Sequence, residues 1–417
     1  MATTYHTTDH IRGLHPYKSV SPETLRIAFA TPEYVTEDYF DGGLANYINR
    51  ISKLLAELGH DVHVVTLSQK NEEHFEHEGV MVHRVMLKPA WQVFNSATRY
   101  SLITTLYWLN FSTQTFRKLK QLHRQRPFHL IQYPSYSFCG LFSILFLRAA
   151  HVVRASSYQP ALNDALGVKR NLDSAMTEHL EALQYKLTRN VFAPSSAMQK
   201  TLAKKTNARV IRTPFYVETR EWDNAVYEEF LEGKKYALYF GRFQLHKGFH
   251  TLAQALPRFL SLCPDAHVAL VGRDMETSLA SSMAGFARVQ CGSSAERLIM
   301  LENLPHSQLY PIIAGAHLVV LPSLIDNTPN ACLEAMGLGK VVIGTSGTSF
   351  EELIVDGVNG FLVPPANPES LAEKMISAWT YPDLATMSAA AQQRMQEFAP
   401  EKTVPSLLSY YSEVLRG

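Results

Sequence analysis

The chain has 417 residues, 46% hydrophobic and 18% charged, too long for one ordinary domain, so two of roughly 200 residues are expected. A formal net charge of +1 argues against a general nucleic-acid binder. Cys139, Cys263, Cys291 and Cys332 lie far apart without a CxxC pair, which suggests neither a zinc site nor a disulfide framework and fits a reducing cytoplasm.

Residues 1–24 lack the apolar stretch that a signal peptide needs and read as a loose tail. "LRIAFATPEY" (25–34) reads as a buried strand stopped at Pro32. "GGLANYINRISKLLAELGHD" (42–61) follows with apolar residues at helical spacing and Gly59 as its stop. "VHVVTL" (62–67) and "VMVHRVML" (80–87) read as the next strands. Strand, glycine-started helix, strand is the opening of a doubly wound α/β domain. No GxGxxG follows the first strand and no acid ends the second, which disfavours dinucleotide binding. Gly42 and Gly43 at the helix start instead allow a phosphate or sugar to approach the backbone.

Further strands are expected at 129–133, 151–155, 191–194 and 209–211. "FCGLFSILFL" (138–147) is half the roughly 20 residues needed to span a bilayer and reads as a buried helix. From Gly79 to Asn163 there is no Asp or Glu, against ten Lys or Arg and fourteen aromatics, including Trp91, Tyr100, Trp108 and Phe111. The rest of the chain holds 29 bases and 38 acids, so charge is segregated. Such a basic, aromatic face, densest at "FRKLKQLHRQR" (116–126), suits an anionic membrane surface or a phospholipid-linked acceptor. The plainer alternative is a solvated basic helix beside buried aromatics.

The irregular, acidic stretch 213–233 reads as a linker, placing the domains at 25–215 and 234–398 with 216–233 between them. The strand pattern restarts at "KKYALYFGR" (234–242) and continues through 267–272, 298–301, 318–323 and 341–345. Residues 399–417 read as a helix able to pack back on the first domain. Two tandem Rossmann-like domains of this kind form a central cleft, and ligands bind such sheets at the carboxyl ends of the strands.

In "GRFQLHKG" (241–248), Gly241 ends a strand, and Arg242 and Lys247 follow across a tight turn. A planar arginine fork and a mobile lysine charge can converge on one diphosphate. In "LIDNTPNACLEAMGLG", Pro329 reads as the first helical residue, Thr328 as its cap, and Gly337 and Gly339 as the stop. The amides of Asn330 and Ala331 then make an anion site at the helix start. Asp326 and Glu334, with seven residues between them, offer carboxylates that suit vicinal diols. Each of these signals alone is common on ordinary surfaces.

Taken in order, "GRFQLHKG", "PSLIDNTPNACLEAMGLGKVV" and "EELIVDGVNGFLVPP" resemble the second domain of retaining glycosyltransferases of family 4, with the two-Rossmann fold called GT-B. "GGLANYINRISKLLAELGHDVHVVT" resembles that family's first helix and strand. The resemblance implies that Arg242 and Lys247 bind the donor diphosphate, Glu334 the ribose and Asp326 the donor sugar. Donor contacts are also expected from Gly43, Gly241, Asn330 and Ala331. Asp326 stands where the family often has glutamate, and "NTPN" replaces a commoner glycine-rich middle, so the shorter acid shifts which sugar hydroxyl is read. Family members often carry a histidine where this chain has Ser156 or Ser157. No catalytic base is assigned, and His151, at the start of its strand, is expected to be structural. Tyr39, Ser156 and Ser157 are the acceptor-side candidates.

No DxD triplet occurs, which favours a metal-independent enzyme with a nucleotide-diphosphate sugar as co-substrate and no other cofactor. The expected activity is retaining transfer to a glycan, glycolipid or lipid-linked acceptor, in the cytoplasm or peripherally on the inner face of a membrane. A nucleotide-sugar epimerase and a catalytically silent sugar-nucleotide binder are the rival readings.

Overall fold

The computed structural model describes residues 24–37, 43–88, 102–157, 159–160, 163, 169–217 and 222–417. The chain divides into two compact units, one running to Pro214 and joined by Pro400–Gly417, the other Phe215–Ala399.

The first unit is built on β1 (Arg26–Thr31), β2 (Asp61–Leu67), β3 (His74–His77), β4 (Val80–Val85), β5 (Leu130–Pro134), β6 (Ala150–Arg154), β7 (Val191–Ala193) and β8 (Arg209–Val210). They form one sheet in the order β3-β4-β2-β1-β5-β6-β7-β8, parallel except for the β3–β4 pair. Strand β1 is buried along its whole length, as a central parallel strand covered on both faces must be. The helix Gly43–Glu57 returns the chain from β1 to β2, burying Leu44, Tyr47, Ile48, Ile51, Leu54 and Leu55 on one face. The terminal helix Pro400–Arg416 belongs to this unit, where the Tyr411 hydroxyl donates to Gln132 Oε1 on β5.

The stretch 138–147 departs from the expected buried helix. Ser137 and Phe138 have φ of 67° and 35° in a short 3-10 turn, and only Leu141–Phe146 is α-helical. The turn is set by contact, because the Tyr133 ring lies 2.6 Å from where a Cβ on Gly140 would stand. The short helix then ends with Leu145 and Phe146 exposed.

The second unit carries β9 (Tyr236–Phe240), β10 (His267–Val271), β11 (Leu298–Leu301), β12 (Leu318–Val320), β13 (Val342–Thr345) and β14 (Phe361–Val363), all parallel, in the order β11-β10-β9-β12-β13-β14. The stretch expected as a linker is partly structured and belongs to this unit. Ala225–Phe230 is helical, and Leu231 and Phe215 are buried in its core. Asp223, Glu228, Glu229 and Glu232 are exposed there, while a few apolar side chains anchor the segment.

Strand order reverses between β1 and β5 in the first sheet and between β9 and β12 in the second. Loops leave such a point in opposite directions and open a crevice at the carboxyl ends of the strands.

Candidate active site

The second unit's switch point gathers three of the residues singled out in the sequence. Strand β9 ends at Phe240 and is followed at once by Gly241 and Arg242, β12 ends ahead of the loop 321–329, and the two strands are hydrogen-bonded neighbours. Lys247 Nζ therefore meets Asp326 Oδ2 at 2.7 Å although 79 residues separate them. The Asp326 carboxylate is only 11% exposed, against 34% for the lysine side chain, so the pair is partly shielded from water. Ser349 Oγ donates to the Asp326 carbonyl at 2.6 Å, and the Tyr239 hydroxyl to the Arg242 carbonyl at 2.8 Å, fixing both loops.

Two glycines let these loops close. Gly248 has φ of 69°, and a Cβ there would lie 1.8 Å from the Pro322 carbonyl oxygen. Gly272, at the end of β10 with φ of 146°, would place a Cβ 2.1 Å from the Gly241 carbonyl oxygen. Backbone thus packs on backbone at the ends of three adjacent strands.

His246 was not singled out from the sequence. Burial first, then Lys247 and Arg242, push its imidazole down to about 4, with Asp326 opposing. The folded value lies below the ordinary 6.5, so the unfolded chain binds the proton first as pH falls. Stability contributed by the neutral ring is complete above about 6.5 and is lost progressively toward 4. The His246 ring resonances should accordingly stay those of a neutral imidazole at pH 5.5. Titration near 6.5 in the folded protein would contradict this placement of charge.

The helix that carries Glu334 starts one residue later than the sequence suggested. Pro329, with φ −76° and ψ 85°, is the cap rather than the first helical residue, and the helix is Asn330–Gly337. Its carbonyl accepts from Cys332 and Leu333, while Thr328 Oγ1 is buried without a partner and caps nothing. Asn330 and Ala331 still form the first turn, where amides lack an intrahelical acceptor and the helix dipole is positive.

Glu334 stands apart from the Lys247–Asp326 pair. It is 6% exposed and faces His306, with Nε2 3.6 Å from Oε1. His306 stacks on Tyr310 at 5.2 Å and opens the helix His306–Gly315, which follows the carboxyl end of β11. That position, just past a strand end, is the signal that could have marked this histidine in the sequence.

On the first unit, Gly43 opens its helix in the segment after β1. Tyr39 and Gly42 lie outside the described residues. Ser156 and Ser157 follow β6, and both amides donate to Ser135 Oγ at 3.0 and 3.1 Å. The Ser156 hydroxyl also accepts from buried Arg154 Nη1 at 3.0 Å, and that guanidinium lies 3.9 Å over the Tyr47 ring. His151 bonds the Tyr133 hydroxyl and the Leu147 carbonyl. Among the described residues no three His, Cys, Asp or Glu gather as metal ligands, and no helix is long and apolar enough to cross a membrane.

Two switch-point sheets, one of them bearing a paired cation and carboxylate beside a helix start, define an α/β protein of two Rossmann-like units. Residues 234–380 match the family model described as glycosyl transferases group 1, and residues 42–214 match a glycosyl transferase 4-like domain. An uncharacterised glycosyltransferase of Methanocaldococcus jannaschii is 24% identical over 86% of this chain and 90% of its own. Among solved structures, sucrose-phosphate synthase from Thermosynechococcus elongatus superimposes with a TM-score of 0.74 at 19% identity, covering 94% of this chain and all of that one. The Anabaena protein HepE, solved with UDP-glucose, gives 0.66 at 17% identity over 92% of this chain and 98% of its own. The chain belongs to the family 4 type of glycosyltransferases with the GT-B fold.

Proposed function

We propose that this glycosyltransferase takes a sugar from a nucleotide-diphosphate donor, without a metal and with retention of anomeric configuration, and passes it to a glycan or lipid-linked acceptor. The observation that carries this reading is the convergence of Arg242, Lys247 and Asp326 at the β9/β12 switch point, beside the start of the Asn330–Gly337 helix. Negative charge on a departing diphosphate would meet Arg242, Lys247 and the Ala331 amide there. Preorganised donors of this kind can supply several kcal/mol of transition-state stabilisation. UDP-glucose in the Anabaena neighbour supports a nucleotide-sugar donor for this chain as well.

Glu334 is assigned to the ribose and Asp326 to the donor sugar. Glu334→Gln should weaken the bare nucleoside diphosphate by about tenfold, since a charge-assisted hydrogen bond contributes roughly 1.5–3 kcal/mol. Asp326→Asn should leave nucleotide affinity unchanged or tighter, because it releases Lys247, and should lower turnover. Titration calorimetry with UDP, GDP and ADP measures both. Equal nucleotide affinity in the two variants would refute the division of roles.

The acceptor side is assigned to the first unit, in peripheral contact with an anionic membrane. The helix Ile103–Gln125 exposes Arg117 and Arg124, and Phe116 lies 6.0 Å from the exposed Phe146 ring. Arg126 is already paired with Asp61 at 3.0 Å. Each basic residue near an anionic surface contributes roughly 1 kcal/mol, so Arg117→Gln with Arg124→Gln should weaken binding to phosphatidylserine vesicles about 30-fold. Donor hydrolysis should persist. Absence of wild-type vesicle binding at low salt would remove the membrane contact.

A further inference from the structure

On the first unit, the helices Ile103–Gln125, Leu141–Phe146 and Leu172–Thr188 pack against one another, and each leads into the next parallel strand, β5, β6 and β7. Their carboxyl ends therefore gather at the amino edge of the sheet, opposite the carboxyl ends of the strands. Large apolar side chains stand in water there. Phe146 is 67% exposed and Leu145 47% at the end of the short helix, and Leu187 is exposed near the end of Leu172–Thr188. Phe116 brings its ring within 6.0 Å of Phe146, and Lys120 Nζ lies 5.3 Å over the Phe116 ring.

Charge around these side chains has one sign. Arg117, Arg124, Arg148, Lys186 and Arg189 are exposed on the three helices and the residues that follow them. The acids of the same helices are withdrawn from the surface. Asp173 accepts from the Thr104 and Thr105 amides at 2.9 Å, Glu181 is buried against the Ser137 amide, and half-buried Glu178 faces Arg170 at 3.5 Å. No other Asp or Glu occurs in them. Cations near helix carboxyl ends also offset the helix dipole, which accounts for Arg124, Lys186 and Arg189. It does not account for adjacent leucine and phenylalanine side chains left exposed between them.

We propose that Leu145 and Phe146, with Leu187 and the surrounding cations, insert into the interfacial layer of an anionic bilayer and anchor the first unit by the amino edge of its sheet. The inference rests on the membrane contact proposed above and deepens it, from a surface attraction to an apolar anchor with a stated place. Charge selects the occupant. A second copy docked through the same patch would set these arginines and lysines against their own counterparts, whereas acidic headgroups supply the opposite charge. Leucine and phenylalanine reach the boundary between headgroups and chains, while arginine and lysine stems extend to the headgroups beside them. Because the anchor lies at the opposite edge of the sheet, it leaves the loops at the carboxyl ends of these strands uncovered.

Co-sedimentation of the full chain with vesicles of phosphatidylcholine mixed with phosphatidylserine tests this, at low and at high salt. Wild-type protein should bind at low salt and keep part of that binding at high salt, where screening removes the contribution of charge. Leu145→Ser with Phe146→Ser should weaken binding about tenfold or more at both salts, since neither apolar side chain is then withdrawn from water. Phe146→Trp should bind as the wild type does, and lipids brominated on their acyl chains should quench the fluorescence it adds. Donor hydrolysis should be the same in all three proteins. The inference is overturned if the double serine variant binds these vesicles as tightly as wild type. It is equally overturned if bound Phe146→Trp shows no added quenching, or if wild type without lipid forms a dimer that the serine variant does not. No wild-type binding at low salt would instead remove the membrane contact itself, and this inference with it.

Discussion

Lys247→Ala is expected to lower kcat/KM for the donor by about 10- to 150-fold, and Arg242→Ala to do the same, because in the proposed donor site each would remove a charge-assisted hydrogen bond of roughly 1.5–3 kcal/mol to the diphosphate. The lysine variant falls at the severe end of that range. Its loss leaves the shielded Asp326 carboxylate, now 2.7 Å from its ammonium, without a partner where negative charge must develop. Lys247→Ala combined with Asp326→Asn should therefore bind nucleotide better than Lys247→Ala alone. Donor kinetics and calorimetry on the three variants check this. Near-normal turnover in the double variant Arg242→Ala, Lys247→Ala would exclude a diphosphate role for either cation.

Gly248→Ala has the largest effect expected on stability. A left-handed backbone costs a non-glycine residue about 1–2 kcal/mol. The new Cβ would also stand 1.8 Å from the Pro322 carbonyl oxygen, a clash with backbone that no rotamer relieves. The total should exceed about 3 kcal/mol, which lowers the melting of this unit by roughly 6–12 °C. That same proline is the second residue of the loop that carries Asp326, so donor turnover should fall with it. Gly233→Ala is the control. Its φ is 73° but nothing lies within 4 Å, so it should show the backbone strain alone. Equal melting shifts in the two variants would show that the packing on Pro322 is unimportant.

Residue type and spacing made the second unit legible. Each of its first five strands is a short, mainly apolar run; "GRFQLHKG" follows β9 directly, and "DNTPNACLE" follows β12 after the five residues "LPSLI". The Lys247–Asp326 pair was not legible, because it depends on β12 lying beside β9 rather than beside β11, which is tertiary information. Thr328 failed as a cap because Pro329, with a non-helical ψ, takes the cap position itself. Strand β3 reads "HFEH", an exposed edge segment with no apolar run, and escaped notice for that reason. The aromatic residues Tyr107, Trp108 and Tyr136, which line one hollow at the first sheet's strand ends, were visible as a composition bias. Their convergence on one switch point was not, because Pro32 and Tyr136 are brought together only by the pairing of β1 with β5.

The measurement that bears most directly on the central claim is proton NMR of a panel of UDP-, GDP- and ADP-sugars incubated with the protein in chelator. At least one donor should be consumed, and the first anomeric product should keep the donor's configuration at the transferred carbon. Consumption of none of them, epimerisation without release of nucleotide, or an inverted product would each contradict the account.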